Sequence, residues 1–219
     1  MRTITSAVLL ILFALGASAD PTIIVNRVDS ELESFRIVRV ASGITRPWSI
    51  AFLPDSSALI SERSGGLLRL DLQSGALQNL SGTPRVATIG QGGLLDIEPH
   101  PHFLDNRLIY LSYVTGRSGA YTTEIVRGRL SDSGLTDLEV VFTMNRPSGR
   151  RVHFGSRLVF GTDGMLYATL GERGERHRAQ DPNDHAGTII RLRDDGTVPI
   201  DNPFADGEGA APEVYSFGH

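Results

Sequence analysis

Two stretches of the sequence follow one plan, and that plan limits what the chain can fold into. Ile50-Ala51-Phe52-Leu53-Pro54-Asp55 leads to Ala58-Leu59-Ile60-Ser61-Glu62-Arg63. Far downstream, Leu158-Val159-Phe160-Gly161-Thr162-Asp163 leads to Met165-Leu166-Tyr167-Ala168-Thr169-Leu170-Gly171-Glu172-Arg173. Each is an apolar run, an x-Asp turn, a second apolar run and a Glu-Arg pair. A further run ending Arg-Leu follows both, at 67–70 and 188–192. Recurring β units of this size are how the blades of a β-propeller look in sequence.

The rest of the chain agrees. No segment after residue 20 holds a helical period over a long window, whereas short β-like runs separated by turn chemistry recur. Strands are expected at 35–40, 48–52, 58–62, 67–71, 94–97, 107–114, 122–130, 139–144, 157–160, 166–170 and 188–193. Residues 20–219 are expected to form one all-β domain. At ~40–50 residues per four-stranded blade, about four blades fit. A propeller must close its ring to hide its edge strands.

The first 19 residues read as an export signal: Arg2, the apolar run 7–15 (AVLLILFAL), then Ala17-Ser18-Ala19 in the small-x-small form that signal peptidase cuts. The run is too short to span a bilayer of ~30 Å, and no later stretch is apolar enough. The expectation is a secreted protein, periplasmic in a Gram-negative source. The sequence has no cysteine, which excludes Cys-ligated zinc, iron–sulfur clusters and thiol nucleophiles. Its 21 basic and 25 acidic residues are well mixed, so nucleic acid is not an expected partner.

The most informative stretch is 153–174. Two apolar runs flank Gly161-Thr162-Asp163-Gly164, a strong hairpin signal, because Gly tolerates positive φ and Asp can bond its own backbone. If Phe160 pairs with Met165, His153 and Glu172 lie equally far from the turn and meet at one rim of the sheet. An imidazole beside a carboxylate suits a positioned general base. A hydrogen-bonded structural His fits the spacing equally well. Gln91, in Gly90-Gln91-Gly92-Gly93, has flanking glycines that let backbone approach a ligand, and also reads as a flexible lead-in to a strand. His100-Pro101-His102 lacks a third metal ligand nearby. His177, Asp181 and His185 read as part of a long loop overhanging a pocket rather than as a metal site, and no metal ligands are assigned. Trp48, the one Trp, reads as a core anchor.

Together these residues carry a resemblance to a family. Pro47-Trp48-Ser49-Ile50-Ala51-Phe52-Leu53-Pro54-Asp55, Glu62-Arg63, Gly90-Gln91-Gly92-Gly93-Leu94-Leu95-Asp96-Ile97 with His100-Pro101, Ile109-Tyr110-Leu111-Ser112-Tyr113 and the run 153–174 match in order. So do Ala179-Gln180-Asp181-Pro182, Gly196-Thr197-Val198-Pro199, Asn202-Pro203-Phe204 and the closing Pro212-Glu213-Val214-Tyr215-Ser216-Phe217-Gly218-His219. The chain resembles the N-terminal part of soluble pyrroloquinoline quinone (PQQ) dependent aldose, glucose and sorbosone dehydrogenases. The resemblance implies a six-bladed propeller with PQQ over its opening, oxidising an aldose to its lactone and passing electrons to an external acceptor. His153 falls on the family's general base, Glu172 on its supporting acid, and Gln91 beside substrate and cofactor; Arg173 is expected there too. The resemblance also implies that an Arg-Asn pair that binds PQQ, further basic residues, the calcium ligands and the last blades lie downstream of His219. The isolated chain is therefore expected to be inactive. A non-catalytic propeller that binds a carbohydrate or protein is the rival expectation. Val152 stands where the glucose-specific branch tends to carry an acid, which favours the broader aldose branch.

Overall fold

The computed structural model describes residues 21–219; the proposed signal segment at 1–19 lies outside them. The fold is all-β, with four antiparallel sheets formed by consecutive segments of chain. Strands β1 (Thr22–Asp29) and β2 (Ser34–Arg39) form a two-stranded hairpin. Three four-stranded sheets follow. The first contains β3 (Pro47–Phe52), β4 (Ser57–Glu62), β5 (Leu67–Asp71) and β6 (Leu77–Leu80). The second contains β7 (Leu94–Pro99), β8 (Leu108–Arg117), β9 (Ala120–Leu130) and β10 (Leu135–Thr143). The third contains β11 (Gly155–Phe160), β12 (Leu166–Leu170), β13 (Thr188–Leu192) and β14 (Val214–Phe217). One short helix, α1 (Phe103–Asn106), links β7 to β8.

Every expected strand is present. The additional ones, β1, β6 and β14, carried weak signals. Strand β1 is interrupted by Asn26, Arg27 and Asp29, and β6 reads Leu-Gln-Asn-Leu. Strand β10 starts earlier than expected, because an irregularity between Thr136 and Glu139, with Asp137 at φ +52°, breaks its apolar pattern.

The second sheet is packed on both faces. Leu94, Ile97, Ile109 and Leu111 meet Ala51, Leu59 and Leu67 of the first sheet. Tyr110, Ile125 and Phe142 meet Leu158, Leu166, Ala168 and Ile190 of the third. A strand covered on both faces reads as a continuous apolar run, as Ile109-Tyr110-Leu111-Ser112-Tyr113-Val114 does in β8, all of it buried.

Strands β3, β7 and β11, the first of each sheet, lie next to one another. Asp96 of β7 ties them together. It is 1% exposed and accepts hydrogen bonds from the Ser49 hydroxyl of β3 (2.5 Å), the Arg157 guanidinium of β11 (2.7 Å) and the Leu158 N–H (2.7 Å). A buried carboxylate is tolerable only when so satisfied. Ser112 adds a link by donating to the Ser156 carbonyl (2.7 Å).

The β11–β12 hairpin differs from the expected register by one residue. Phe160 pairs with Leu166, not Met165, because the Gly161–Met165 connection takes one more residue. An irregularity between Gly155 and Leu158 then shifts the pairing back, so Gly155 faces Leu170. The two shifts cancel, and residues 153 and 172 end up opposite each other as the simple hairpin required.

Candidate functional site

His153 sits just before β11, with its ring about half exposed and a φ of +52°. A non-Gly residue persists in that left-handed region only where its surroundings hold it, and both of its peptide groups are held here. The His153 N–H donates to Gln91 Oε1 (2.8 Å), and its carbonyl accepts from an Arg173 guanidinium nitrogen (2.8 Å). Its ring Nδ1 lies 2.6 Å from Glu172 Oε1. The same carboxylate oxygen accepts the Gly174 N–H (3.0 Å). Gly171 is required beneath this pair, since a Cβ there would fall 2.0 Å from the His153 carbonyl oxygen.

The charges follow from these contacts. Partial burial alone would raise the Glu172 carboxyl, but the bond from His153 and the backbone N–H groups hold it below the ordinary glutamate value. Glu172 therefore faces the imidazole as an anion at neutral pH. With Nδ1 bound to a carboxylate, the assigned tautomer carries its proton on Nδ1 and leaves Nε2 as the acceptor.

Three of the sequence-derived site residues, His153, Glu172 and Gln91, meet directly. Gln91 acts on backbone rather than on the ring. Its loop is held by Arg63, one of whose guanidinium nitrogens donates to the carbonyls of Gly90 and Gly92. The Gln91 N–H in turn donates to the Arg151 carbonyl (2.9 Å), and a Cβ at Gly90 would fall 2.1 Å from that oxygen. The glycines thus serve close approach of backbone to backbone.

Arg173 is placed differently from the sequence expectation of a substrate or cofactor ligand. It is 1% exposed. Its nitrogens donate to the carbonyls of His153 and Gly171 and to Thr123 Oγ1 (2.7 Å), and its guanidinium stacks over the Phe154 ring at 4.5 Å. Burial, with the nearby Arg178 charge adding, pushes its pKa down to about 10, still a cation at neutral pH. Arg173 supports the His153 backbone from below and does not face an open cavity.

Two cavities meet at His153. One, of about 340 Å³, is lined by Trp48, Arg63, Gln91 and Phe154. The other, of about 440 Å³, is lined by Glu172, Arg176, Gln180 and His219. Trp48 packs on the cluster of Leu95, Val114, Tyr121 and Phe154, as a core anchor does, and it also walls the first cavity, with Arg157 stacked on its ring at 5.0 Å. The overhanging loop is real: the 3-10 turn Arg176–Gln180 covers the second cavity. Its other polar residues are engaged elsewhere, Asp181 with Arg146 (2.5 Å) and His185 with the Asn145 N–H (3.1 Å) and Glu213 (3.4 Å).

Reading residues one at a time missed Arg63, Arg176 and the wall role of Trp48. Arg63 was visible only as half of a repeated Glu-Arg pair. Both cations suit an anionic planar ligand: Arg63 Nε is buried without a partner, and Arg176 makes no ion pair or hydrogen bond among the described residues. A planar tricarboxylate quinone such as PQQ matches that donor set on the side of the cavities these residues line.

Three consecutive four-stranded sheets, with a His–Glu pair beside the start of the third and two cavities meeting at that pair, form part of a β-propeller. The family model described as glucose/sorbosone dehydrogenase matches residues 44–219, and the chain belongs to that family. It is 42% identical to the aldose sugar dehydrogenase YliI of Escherichia coli, over 80% of this chain and 48% of that one. Among solved structures, a glucose dehydrogenase superimposes with a TM-score of 0.77 at 40% identity, covering 81% of this chain and 52% of the other. The PQQ-bound aldose sugar dehydrogenase of Streptomyces coelicolor superimposes with a TM-score of 0.73 at 32% identity, covering 92% and 55%. The chain spans about half the length of the curated relatives it matches.

Proposed function

We propose that this chain supplies the general-base side of the active site of an exported sugar dehydrogenase, which oxidises an aldose at C1 to its lactone. The 2.6 Å His153–Glu172 pair, fixed on both sides of its backbone and open to two cavities, carries the reading. The family membership and the PQQ-bound neighbour support it. When bound, PQQ would supply the hydride acceptor.

The residues of this chain do the rest. His153 Nε2 takes the C1 hydroxyl proton as the C1–H bond breaks. Glu172 holds the ring and stabilises the imidazolium that forms. Such positioned base catalysis contributes ~10²–10⁴-fold. Gln91 and Arg173 fix the His153 backbone, so the base is aimed before substrate arrives. Arg63 and Arg176 would hold carboxylates of the quinone, and Trp48 would wall the space beside it. The calcium expected beside PQQ has no ligand assigned among the described residues, and an external acceptor would remove the electrons. Export rests on residues 1–19; no helix among the described residues is long and apolar enough to cross a membrane.

The test is His153→Asn in the protein as its gene encodes it, loaded with PQQ and calcium. Aldose-dependent dye reduction should fall by ~10²-fold or more. Activity within about tenfold of wild type would overturn the assignment. The 219-residue chain alone, which spans about half the length of its curated relatives, should reduce no dye under the same conditions.

A further inference from the structure

A third cavity lies on the other side of the Gln91 loop and plays no part in the mechanism above. At about 670 Å³ it is larger than either cavity at His153, and its size is typical of small-molecule sites, roughly 300–1,000 Å³. Val86, Ala87 and Ile89 form an apolar wall on one side, and the end of β8 with Tyr121 of β9 forms the other. The wall is anchored rather than loose. The Ala87 N–H donates to the Val114 carbonyl (2.7 Å), and Ala87 and Ile89 pack on the cluster of Leu95, Val114, Tyr121 and Phe154.

The polar lining is one-sided in charge. Arg85 and Arg117 both line this cavity, and no carboxylate does. Neither guanidinium makes an ion pair or hydrogen bond among the described residues, and the hydroxyls of Thr115 and Tyr121 have no hydrogen-bond partner there either. Other arginines among the described residues hold carboxylates, as Arg69, Arg127, Arg146, Arg157, Arg178 and Arg191 do, whereas Arg85 and Arg117 face the cavity together. Two free guanidinium groups and two free hydroxyls around one apolar-walled concavity are a donor set without its acceptor. The concave shape favours a small ligand over a flat protein partner.

We propose that the Arg85–Arg117 cavity binds a small organic oxyanion, a phosphate ester or a polycarboxylate, with the anionic group on the arginines and its body against Val86 and Ile89. The site is separate from the His153 cavities and does not depend on the dehydrogenase reading. It shares one strip of chain with them, since Ile89 lines this cavity and Gln91 the one at His153.

Calorimetric titration of the protein as its gene encodes it tests this, with inorganic phosphate, glucose 6-phosphate, citrate and neutral glucose as probes, at low ionic strength and again at ~0.15 M salt. Saturable binding of at least one anion, weakened by salt, is expected. Arg85→Gln and Arg117→Gln should each weaken it by about tenfold, the value of one charge-assisted contact. Both positions are exposed, so the variants should keep the wild-type melting temperature. Inorganic phosphate binding as tightly as the ester would point to the bare oxyanion, and tighter binding of the ester or citrate to an organic body on the apolar wall. Absence of saturable binding by all three anions, or binding unchanged in the double variant, overturns the proposal. Binding at Arg176 instead would show as loss in Arg176→Gln alone, and also overturns it.

Discussion

Glu62-Arg63 and Glu172-Arg173 are the same dipeptide at the same end of the first and third sheets, and they do different work. In both sheets a residue in the left-handed region precedes the first strand: Arg46 at φ +51° before β3, and His153 at φ +52° before β11. In both, the carboxylate and the arginine reach back toward that corner or the next loop. Glu62 is still part of β4, and its carboxylate accepts the Thr45 N–H (2.5 Å). Glu172 lies two residues beyond the end of β12, past Gly171, and its carboxylate accepts a bond from a side chain, the His153 ring. Arg63 clamps the neighbouring Gln91 loop, whereas Arg173 clamps its own corner. A two-residue extension thus turns a device that ties down backbone into one that aims an imidazole.

The largest effect should separate the two arginines. Replacing Arg173 with Met leaves the partly buried carbonyls of His153 and Gly171 without donors, at ~1 kcal/mol or more each. The melting temperature should fall by roughly 5–10 °C. Arg63, only half buried, should give less than half that drop as Met. Equal drops in thermal melts would break the distinction. Next in size comes Glu172→Gln, which keeps the shape but removes the charge that stabilises the imidazolium. Turnover should fall by about 10–100-fold with KM changed little. Glu62→Gln should leave turnover within about twofold, since its carboxylate touches only backbone. Steady-state kinetics decides; a comparable loss in both would mean that the carboxylates merely hold the corners together. Smaller again is the effect of Arg63→Met on function. Freeing the Gln91 loop, which aims His153, should lower turnover about tenfold or less. Turnover unchanged from wild type would show that the Arg63 clamp does not position the base.

Much of this was legible in the sequence, for identifiable reasons. The strands were, because apolar runs and turn residues are local signals. The meeting of His153 and Glu172 was as well, although through a register assumed wrongly at both the turn and the bulge. Neither the longer turn nor the irregularity at Ser156, with φ +82°, leaves a mark in apolar patterning. The burial of Arg173 was not legible, because its partners are Thr123 in the second sheet and Met144 just past that sheet's last strand. Nor was Asp96, which looks like one more strand residue until three strands converge on it. Long-range partners decide what a polar side chain does, and local spacing cannot name them.

The smallest effect concerns Glu172 itself and tests whether its anion is held by the corner. Its pKa in the fold is lowered from the ordinary glutamate value, with the His153 bond foremost among the causes that oppose the raising effect of burial. A carboxyl whose pKa drops on folding adds stability that is fully present above the unfolded value, ~4.3. That contribution is lost as pH falls through the folded value, because both states are then protonated. The side chain is partly exposed, so solvent screening keeps the effect modest. Glu172→Gln removes it at every pH. The gap in melting temperature between wild type and Glu172→Gln should therefore be constant from neutral pH down to about 4.3 and narrow below it. A gap that stays constant to the acid limit would show that the variant loses packing alone. The 2.6 Å contact would then be geometry without charge, and the contrast with Glu62 would reduce to the position of a backbone.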